Sequence, residues 1–270
     1  MSSLVDALTH PRYEVYGSES VTAQVVEHVP RSVKVTVTSS ERRGLDATLD
    51  LTVKLASLGY EVVPHLGARL VLDGSHLERI LLRLEESGVH EAFVIAGDAE
   101  KPHGPFSDGL SLLRAMHDLG HGLTDIGFVG YPEPHPFLSD VVLAQALRDK
   151  AQYATYIVTQ FSFDPRHIDE WVAGVRRSGV LLPVYVGLPG VVEHERLRRI
   201  LKRLGLHDSV LPPARSNTYT PDALIDGLQS LDDPAAGIGG FHVYTFNELE
   251  NTETWRRQLV DRLKNQEETP

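Results

Sequence analysis

Phe128-Val129-Gly130-Tyr131-Pro132-Glu133-Pro134-His135-Pro136 is an apolar, strand-like run that stops in a knot of prolines, just before a helical pattern that begins near Leu138. Proline lacks the N–H that a central strand needs and drives the residue before it out of the helical region. A strand therefore ends here, and Glu133 and His135 are held in a stiff loop between that strand and a helix. In parallel α/β folds, loops at the carboxyl ends of strands carry the chemistry. The bland reading is a rigid turn with solvated polar side chains.

The same unit recurs in both directions along the chain. Short β-branched runs fall at 12–16, 33–38, 60–65, 92–96, 126–130, 155–159, 182–187 and 241–245, eight in all. Helical patterns lie between them at 20–28, 45–58, 75–87, 107–119, 138–153, 165–178 and 192–204, with a last pair at 221–230 and 247–264. Leu77, Ile80, Leu81 and Leu84, for example, fall on one helical face. Gly59, Gly88, Gly120 and Gly179 each close a helix immediately before a strand. Single alternation with short αβ loops predicts parallel βαβ units, and eight of them predict a (β/α)8 TIM barrel of class α/β. An open doubly wound sheet is the alternative. A single domain over residues 1–270 is expected, because barrels of this length are commonly one domain. Residues 207–220, with Pro212-Pro213 and no clear period, interrupt the rhythm and read as an irregular segment.

Bulk properties narrow the function. The chain carries 37 acidic and 26 basic residues, a formal charge of −11, and no Lys/Arg block, which argues against binding a nucleic-acid backbone. With no cysteine, disulfides, thiolate metal sites and a cysteine nucleophile are excluded. No apolar run approaches a membrane span, and Met1-Ser2-Ser3-Leu4-Val5-Asp6 lacks the form of a leader, so a soluble cytoplasmic protein with no membrane partner is expected.

If the barrel closes, the strands' carboxyl ends share one mouth. They bring Glu14; Thr36, Thr38, Ser39 and Ser40; His65 and Arg69; Gly97 and Asp98; Tyr131, Glu133 and His135; Gln160, Phe161 and Asp164; Tyr185 and Gly187; and His242, Tyr244 and Asn247. Carboxylates, imidazoles, an amide and aromatic rings suit a flat polar heterocycle or a hard cation. Each residue also has a structural reading. Glu14 could face outward on its strand, Asp98 has the composition of a turn or cap, and His65 and His242 could be core histidines bonded to carbonyls. Gln160, polar at the end of a β-branched strand, is harder to place without a partner. Gly237-Ile238-Gly239-Gly240 is too short and wrongly placed for a dinucleotide fingerprint.

The ordered set Tyr131-Pro132-Glu133-Pro134-His135-Pro136, Thr159-Gln160-Phe161-Ser162-Phe163-Asp164 and Phe241-His242-Val243-Tyr244-Thr245-Phe246-Asn247, with Glu14, Pro64-His65-Leu66 and Gly97-Asp98 before it, resembles the methylenetetrahydrofolate reductase family from about Tyr13 to Asn247. That resemblance implies a (β/α)8 barrel acting on tetrahydrofolate derivatives. Its reaction interconverts 5,10-methylenetetrahydrofolate and 5-methyltetrahydrofolate with NADH or NADPH as hydride source, usually through FAD, and reduction feeds methionine synthesis. It further implies Glu14 as the acid of ring opening and Asp98 as a fixed negative charge beside the reacting rings. Gln160, Phe161 and Tyr244 would be substrate-binding, and Thr38, His65, Gly97, Tyr131, Glu133, His135 and Lys150 cofactor-binding, with no metal.

The sequence also departs from the family's pattern. Ala96 stands where the family usually has Arg before Gly-Asp, and the family's flavin-facing polar face is replaced by Leu143, Ala146 and Asp149, leaving only Lys150. Flavin-free members exist in which hydride passes directly from nicotinamide to folate. Two other readings stand beside this one. One is a metal-dependent barrel hydrolase using Glu14, His65, Asp98, Glu133 and His135, and the other a non-catalytic folate- or flavin-binding protein.

Overall fold

The computed structural model describes residues 4–135, 138–205, 211–212, 216–229 and 238–267. Eight parallel strands close into a barrel: β1 (Arg12–Tyr16), β2 (Lys34–Thr38), β3 (Val62–Gly67), β4 (Glu91–Ile95), β5 (Asp125–Gly130), β6 (Tyr156–Thr159), β7 (Val184–Pro189) and β10 (Ile238–Tyr244). Around the ring the order is β1-β10-β7-β6-β5-β4-β3-β2, and the closing pair sets Glu14 opposite Tyr244, with Glu14 opposite Thr36 on the other side. The open-sheet alternative is thereby excluded. A two-residue strand β8 (Val192–Glu193) pairs antiparallel with β9 (Thr218–Tyr219) outside the barrel.

Helices cover the barrel: α2 (Val21–His28), α3 (Gly44–Ser57), α4 (Gly74–Glu86), α5 (Gly109–Leu119), α6 (Asp140–Lys150), α7 (Pro165–Arg177), α8 (His194–Arg203), α9 (Asp222–Gln229) and α10 (Leu249–Glu267), preceded by a short α1 (Leu4–Thr9). Their start signals are chemical. Asp73 accepts from the His76 backbone N–H, Asp108 closes a capping box with Ser111, and Asp164 caps α7 ahead of Pro165. Each carboxylate satisfies a donor that the first helical turn leaves unpaired. Among the described residues, no helix is long and apolar enough to cross a membrane.

Strand alternation sorts the side chains into two shells. Val35, Val37, Phe128, Ile157, Val186 and Val243 point outward into one apolar layer beneath the helices, while Val63, Phe93, Tyr156 and Val158 fill the lumen. The lumen's base is ionic. Arg12 lies between the Tyr156 and Tyr185 rings, 4.3 and 4.0 Å from their centroids, and pairs with Glu91, which Lys34 meets at 2.6 Å. The barrel is thus closed at one end and polar at the other.

Two features differ from the sequence expectation. Helix α1 was not expected. The interval 207–220 was read as irregular, yet Thr218–Tyr219 is a strand held by β8; a two-residue strand carries no period to read. The rest of that interval, apart from 211–212, 216–217 and Thr220, lies outside the described residues, as does Pro136 of the proline loop.

Candidate active site

Glu14 stands inside the mouth on β1. Its side chain is 19% exposed, and its Oε2 lies 3.3 Å from His242 Nε2 and 3.9 Å from His65 Nε2. The two rings are almost wholly enclosed. His65 packs on Phe93 at 4.8 Å, and His242 lies edge-on to Tyr244 at 4.9 Å. Burial lowers His65 to about 4, with Glu14 opposing and His242 adding to the shift. Burial likewise lowers His242 to about 3, with Arg12 adding and Glu91 opposing. Both imidazoles are therefore neutral at neutral pH. Burial raises the Glu14 carboxyl, and His65 only partly offsets this. The result is a carboxylic acid that keeps its proton to higher pH than a surface glutamate. Thr36 Oγ1, His65 Nε2 and His242 Nδ1 are buried here without a partner among the described residues.

The strand that carries Glu14 is pinned from β10. Thr245 Oγ1 donates to the Glu14 carbonyl at 2.5 Å, and the Asn247 side chain accepts from Tyr16 N at 3.1 Å and donates to Tyr16 O at 2.9 Å. Phe246 and Asn247 adopt φ of 52° and 62°, a left-handed conformation that costs free energy in any residue but glycine. The Thr-x-Asn end of the Phe241–Asn247 motif is thus a clamp on β1.

Other residues singled out from sequence meet different fates. Tyr244 donates to Thr159 O at 3.1 Å and packs on Phe161 at 5.1 Å, forming an aromatic wall beside Glu14. Gln160 is half-buried. Its Oε1 accepts from Phe161 N at 3.2 Å, and its NH₂ has no partner among the described residues. Gly97 has φ of 89°, and a Cβ there would stand 3.5 Å from Gly67 Cα, so the ends of β3 and β4 form a bare backbone ledge. Asp98 lies on the exposed rim, where Oδ1 accepts from Glu41 N at 2.7 Å and Oδ2 has no partner among the described residues. Thr38 sits half-buried at the end of β2, its Cα opposite Tyr16.

The remaining cofactor candidates gather elsewhere. Glu133 is buried; it accepts from Ser162 Oγ at 2.5 Å and lies 3.4 Å from His167, tying the β5 loop to the β6 loop. Tyr131 meets His135 edge-on at 5.0 Å, and burial raises its hydroxyl's pKa. Lys150 stands 5.4 Å over the Phe128 ring on the outer side of β5; burial lowers its pKa, with Asp108 opposing. Tyr131, Glu133 and Lys150 line a groove of about 590 Å³ between α6 and α7, together with Trp171, Asp140, Glu170 and Arg177. The expected cofactor set is therefore divided. Thr38, His65 and Gly97 face the mouth, whereas Glu133 and Lys150 belong to the flank.

The metal reading is split as well. Of its five residues only Glu14 and His65 share a cluster, the third member being His242, with ligand atoms within 4.8 Å of one another. His242 and Thr36 were visible at the mouth from strand phase. That His242 contacts Glu14 was not, since the contact depends on how β10 registers against β1.

Comparison with known proteins adds ancestry to this geometry. The profile of the family described as methylenetetrahydrofolate reductase matches residues 18–259. Methylenetetrahydrofolate reductase 2 of Saccharomyces cerevisiae is 23% identical over 244 residues, covering 81% of this chain and 40% of the relative. Methylenetetrahydrofolate reductase 1 of Schizosaccharomyces pombe is 24% identical over 209 residues, covering 69% of this chain and 33% of the relative. The chain thus spans well under half the length of these curated relatives. Among solved structures, a GH18 chitinase from Cycas revoluta in complex with (GlcNAc)3 superposes with a TM-score of 0.52 at 9% identity, covering 94% of this chain and 99% of that one. A 2,3-dimethylmalate lyase gives 0.53 at 12% identity, covering 97% and 86%. Identities this low show the barrel alone.

Proposed function

Because the chain belongs to the methylenetetrahydrofolate reductase family, we propose that it is an oxidoreductase interconverting 5,10-methylenetetrahydrofolate and 5-methyltetrahydrofolate, with NADH or NADPH as hydride donor. The observation that carries this reading is Glu14, a carboxyl raised by burial at the barrel mouth between two neutral imidazoles. Ring opening of the methylene compound breaks the bond between the bridging carbon and N10 and needs a proton on N10 as it departs. A carboxyl that retains its proton suits that task. The bond's electrons go to N10, leaving an iminium at N5 whose carbon accepts hydride. The sum is methylenetetrahydrofolate, reduced nicotinamide and a proton giving methyltetrahydrofolate and oxidised nicotinamide.

The chain's other residues supply position. The Gln160 NH₂ is open to read an acceptor on the pterin edge, Phe161 and Tyr244 wall the ring, and Asp98 Oδ2 places negative charge at the rim, where positive charge develops on the substrate. The ledge of Gly67 and Gly97 lets a flat ring approach the backbone.

A flavin, when bound, would relay the hydride. The described residues fit its diphosphate poorly. The α6–α7 groove sets Lys150 and Arg177 against Glu133, Asp140 and Glu170, and Glu133 is already committed to Ser162. Phosphate sites favour arginine forks and backbone donors over carboxylates. Hydride accordingly passes from nicotinamide to folate directly. The test is an absorption spectrum of the purified protein, titration with FAD, then nicotinamide oxidation with methylenetetrahydrofolate. Turnover with no flavin retained or taken up is the expected result. Flavin bands bleached by NADH or NADPH would restore the relay, and absence of folate binding would overturn the proposal.

A further inference from the structure

We propose that His242 is a positioning residue whose Nε2–H donates to Glu14 Oε2, so that the acid's proton resides on Oε1, the oxygen open to the mouth. The inference rests on reading Glu14 as the acid, and it goes beyond that reading by fixing which oxygen delivers the proton and what holds it there.

Three observations carry it. First, His242 Nε2 is the nearer nitrogen to the carboxyl, 3.3 Å from Oε2, whereas His65 Nε2 at 3.9 Å is beyond hydrogen-bond reach. Second, the environment selects the tautomer. His242 Nδ1 is buried with no partner among the described residues, and leaving an N–H dry is costlier and rarer than leaving a lone pair dry. A lone pair on Nε2 would need the carboxyl's proton on Oε2, and the ring's own N–H would then sit dry on Nδ1. The ring proton therefore sits on Nε2. Third, Oε1 has no hydrogen-bond partner among the described residues, yet it is absent from the buried, unsatisfied atoms, so it meets the lumen opening. An oxygen that accepts a hydrogen bond is the carbonyl oxygen of a neutral carboxyl; the hydroxyl is then the other one. The groups facing Glu14 are His65 from β3, Thr36 from β2, and His242 and Tyr244 from β10, with Arg12 and Glu91 deeper in the lumen. Tyr244 is committed to Thr159 O, so His242 alone among them has the reach and the proton.

The ring is held to this task by its neighbours. Tyr244 lies edge-on at 4.9 Å and Phe93 is stacked at 6.4 Å, while the clamp of Thr245 and Asn247 fixes β1 against β10. The His-x-Tyr-Thr-x-Asn spacing thus places on one strand end the imidazole, its packing partner and the residues that set its register to Glu14.

The test needs no substrate for its first arm. Nitrogen-15 shifts of the histidine rings, with His242 assigned by its loss in His242→Gln, report the tautomer of the wild-type protein directly, and Nε2–H is expected. An infrared difference spectrum against Glu14→Gln isolates the Glu14 carbonyl stretch. In His242→Ala that band should move to higher frequency as its donor is lost, and His242→Gln, whose amide NH₂ reaches the place of Nε2, should return it. In the second arm, His242→Ala should lower kcat about 10- to 100-fold, less than the roughly 10²- to 10⁴-fold worth of a general acid because the acid is misplaced and not removed. KM for the folate should stay within about twofold, and the glutamine variant should recover most of the rate. An Nδ1–H tautomer, or a carboxyl band unmoved in His242→Ala, would overturn the proposal. A wild-type protein that does not turn over folate would sink the reductase reading while leaving the spectroscopic arm to judge His242.

Discussion

Glu14 is raised by burial while His65 and His242 are lowered by it, and the two kinds of group pull stability in opposite directions with pH. A carboxyl raised in the fold stabilises below its unfolded value near 4.3 and loses that contribution as pH rises through the folded value. Glu14→Gln removes the group that must ionise inside the mouth. The variant should gain thermal stability over wild type at pH 8 and little at pH 4, while kcat falls about 10²- to 10⁴-fold, the usual worth of a general acid. Melting scans at the two pH values, paired with folate-dependent nicotinamide oxidation, check both halves. Wild-type stability higher than that of the variant at pH 8 would contradict the burial argument. The imidazoles behave conversely. They bind no proton in the fold until about 4 and about 3, yet do so near 6.5 once unfolded, so they penalise the fold increasingly as pH drops below about 6.5. At this scale sequence reading separates types of residue better than their surroundings. Glu14 and Gln160 stand at strand ends, where phase alone puts them in the mouth. Glu133, read from the same logic as a mouth carboxylate, is a buried strut because Ser162 from the next loop reaches it, and no spacing in the sequence encodes that meeting.

Strands and helices were legible for a physical reason: each element reports its own period and carries its own stop signal. Helix starts at Asp73, Asp108 and Asp164 and the glycine closures at Gly59, Gly88 and Gly179 are local chemistry. What the sequence hides is where elements touch without a periodic signature, as in the β8–β9 ribbon and the clamp of β10 on β1. The three motifs divide accordingly. In Thr159–Asp164, Thr159 Oγ1 accepts from Gly187 N at 2.8 Å, Ser162 holds Glu133 and Asp164 caps α7, which leaves Gln160 as the member with a donor to spare. Gly187 itself admits no side chain. A Cβ there would lie 2.1 Å from Thr159 O and 2.9 Å from the Tyr244 ring. Backbone cannot yield as a flexible side chain does, so Gly187→Ala must part β7 from β6 and displace Tyr244. The expected cost is about 1–3 kcal/mol, the range for overpacking, together with weaker binding of 5-methyltetrahydrofolate. Urea unfolding and fluorescence titration measure the two, and a variant as stable as wild type would mean that the strands separate freely at that point.

Across the molecule, the barrel keeps its polar groups in two separate populations, and only one of them is fully paired. At the mouth, Thr36, His65 and His242 carry buried atoms without partners among the described residues. At the base, Arg12, Glu91 and Lys34 satisfy one another, and two tyrosine rings sandwich the guanidinium. Burial works against Glu91's charge, but Arg12 and Lys34 outweigh it and hold its carboxyl below the ordinary value. A depressed carboxyl contributes stability above its unfolded value near 4.3 and loses it as pH falls through the folded value, so the base begins to weaken only below about 4.3, whereas the mouth histidines penalise the fold from about 6.5 downward. Breaking the pair is costlier than never having built it, because the surviving charge stays buried. Glu91→Gln leaves Arg12 facing a neutral amide at 6% exposure and should cost about 3–5 kcal/mol at pH 7. The double replacement Arg12→Met with Glu91→Leu removes both charges from the lumen and should recover most of that loss. Equilibrium unfolding in urea at pH 7 and again near pH 3 separates the cases. The single variant's deficit relative to wild type should shrink in acid as the wild type loses its contribution from Glu91, and the double variant should track wild type at pH 7 and surpass it in acid. A single variant equally destabilised at both values would show that the loss comes from packing around Tyr156 and Tyr185 rather than from the ion pair.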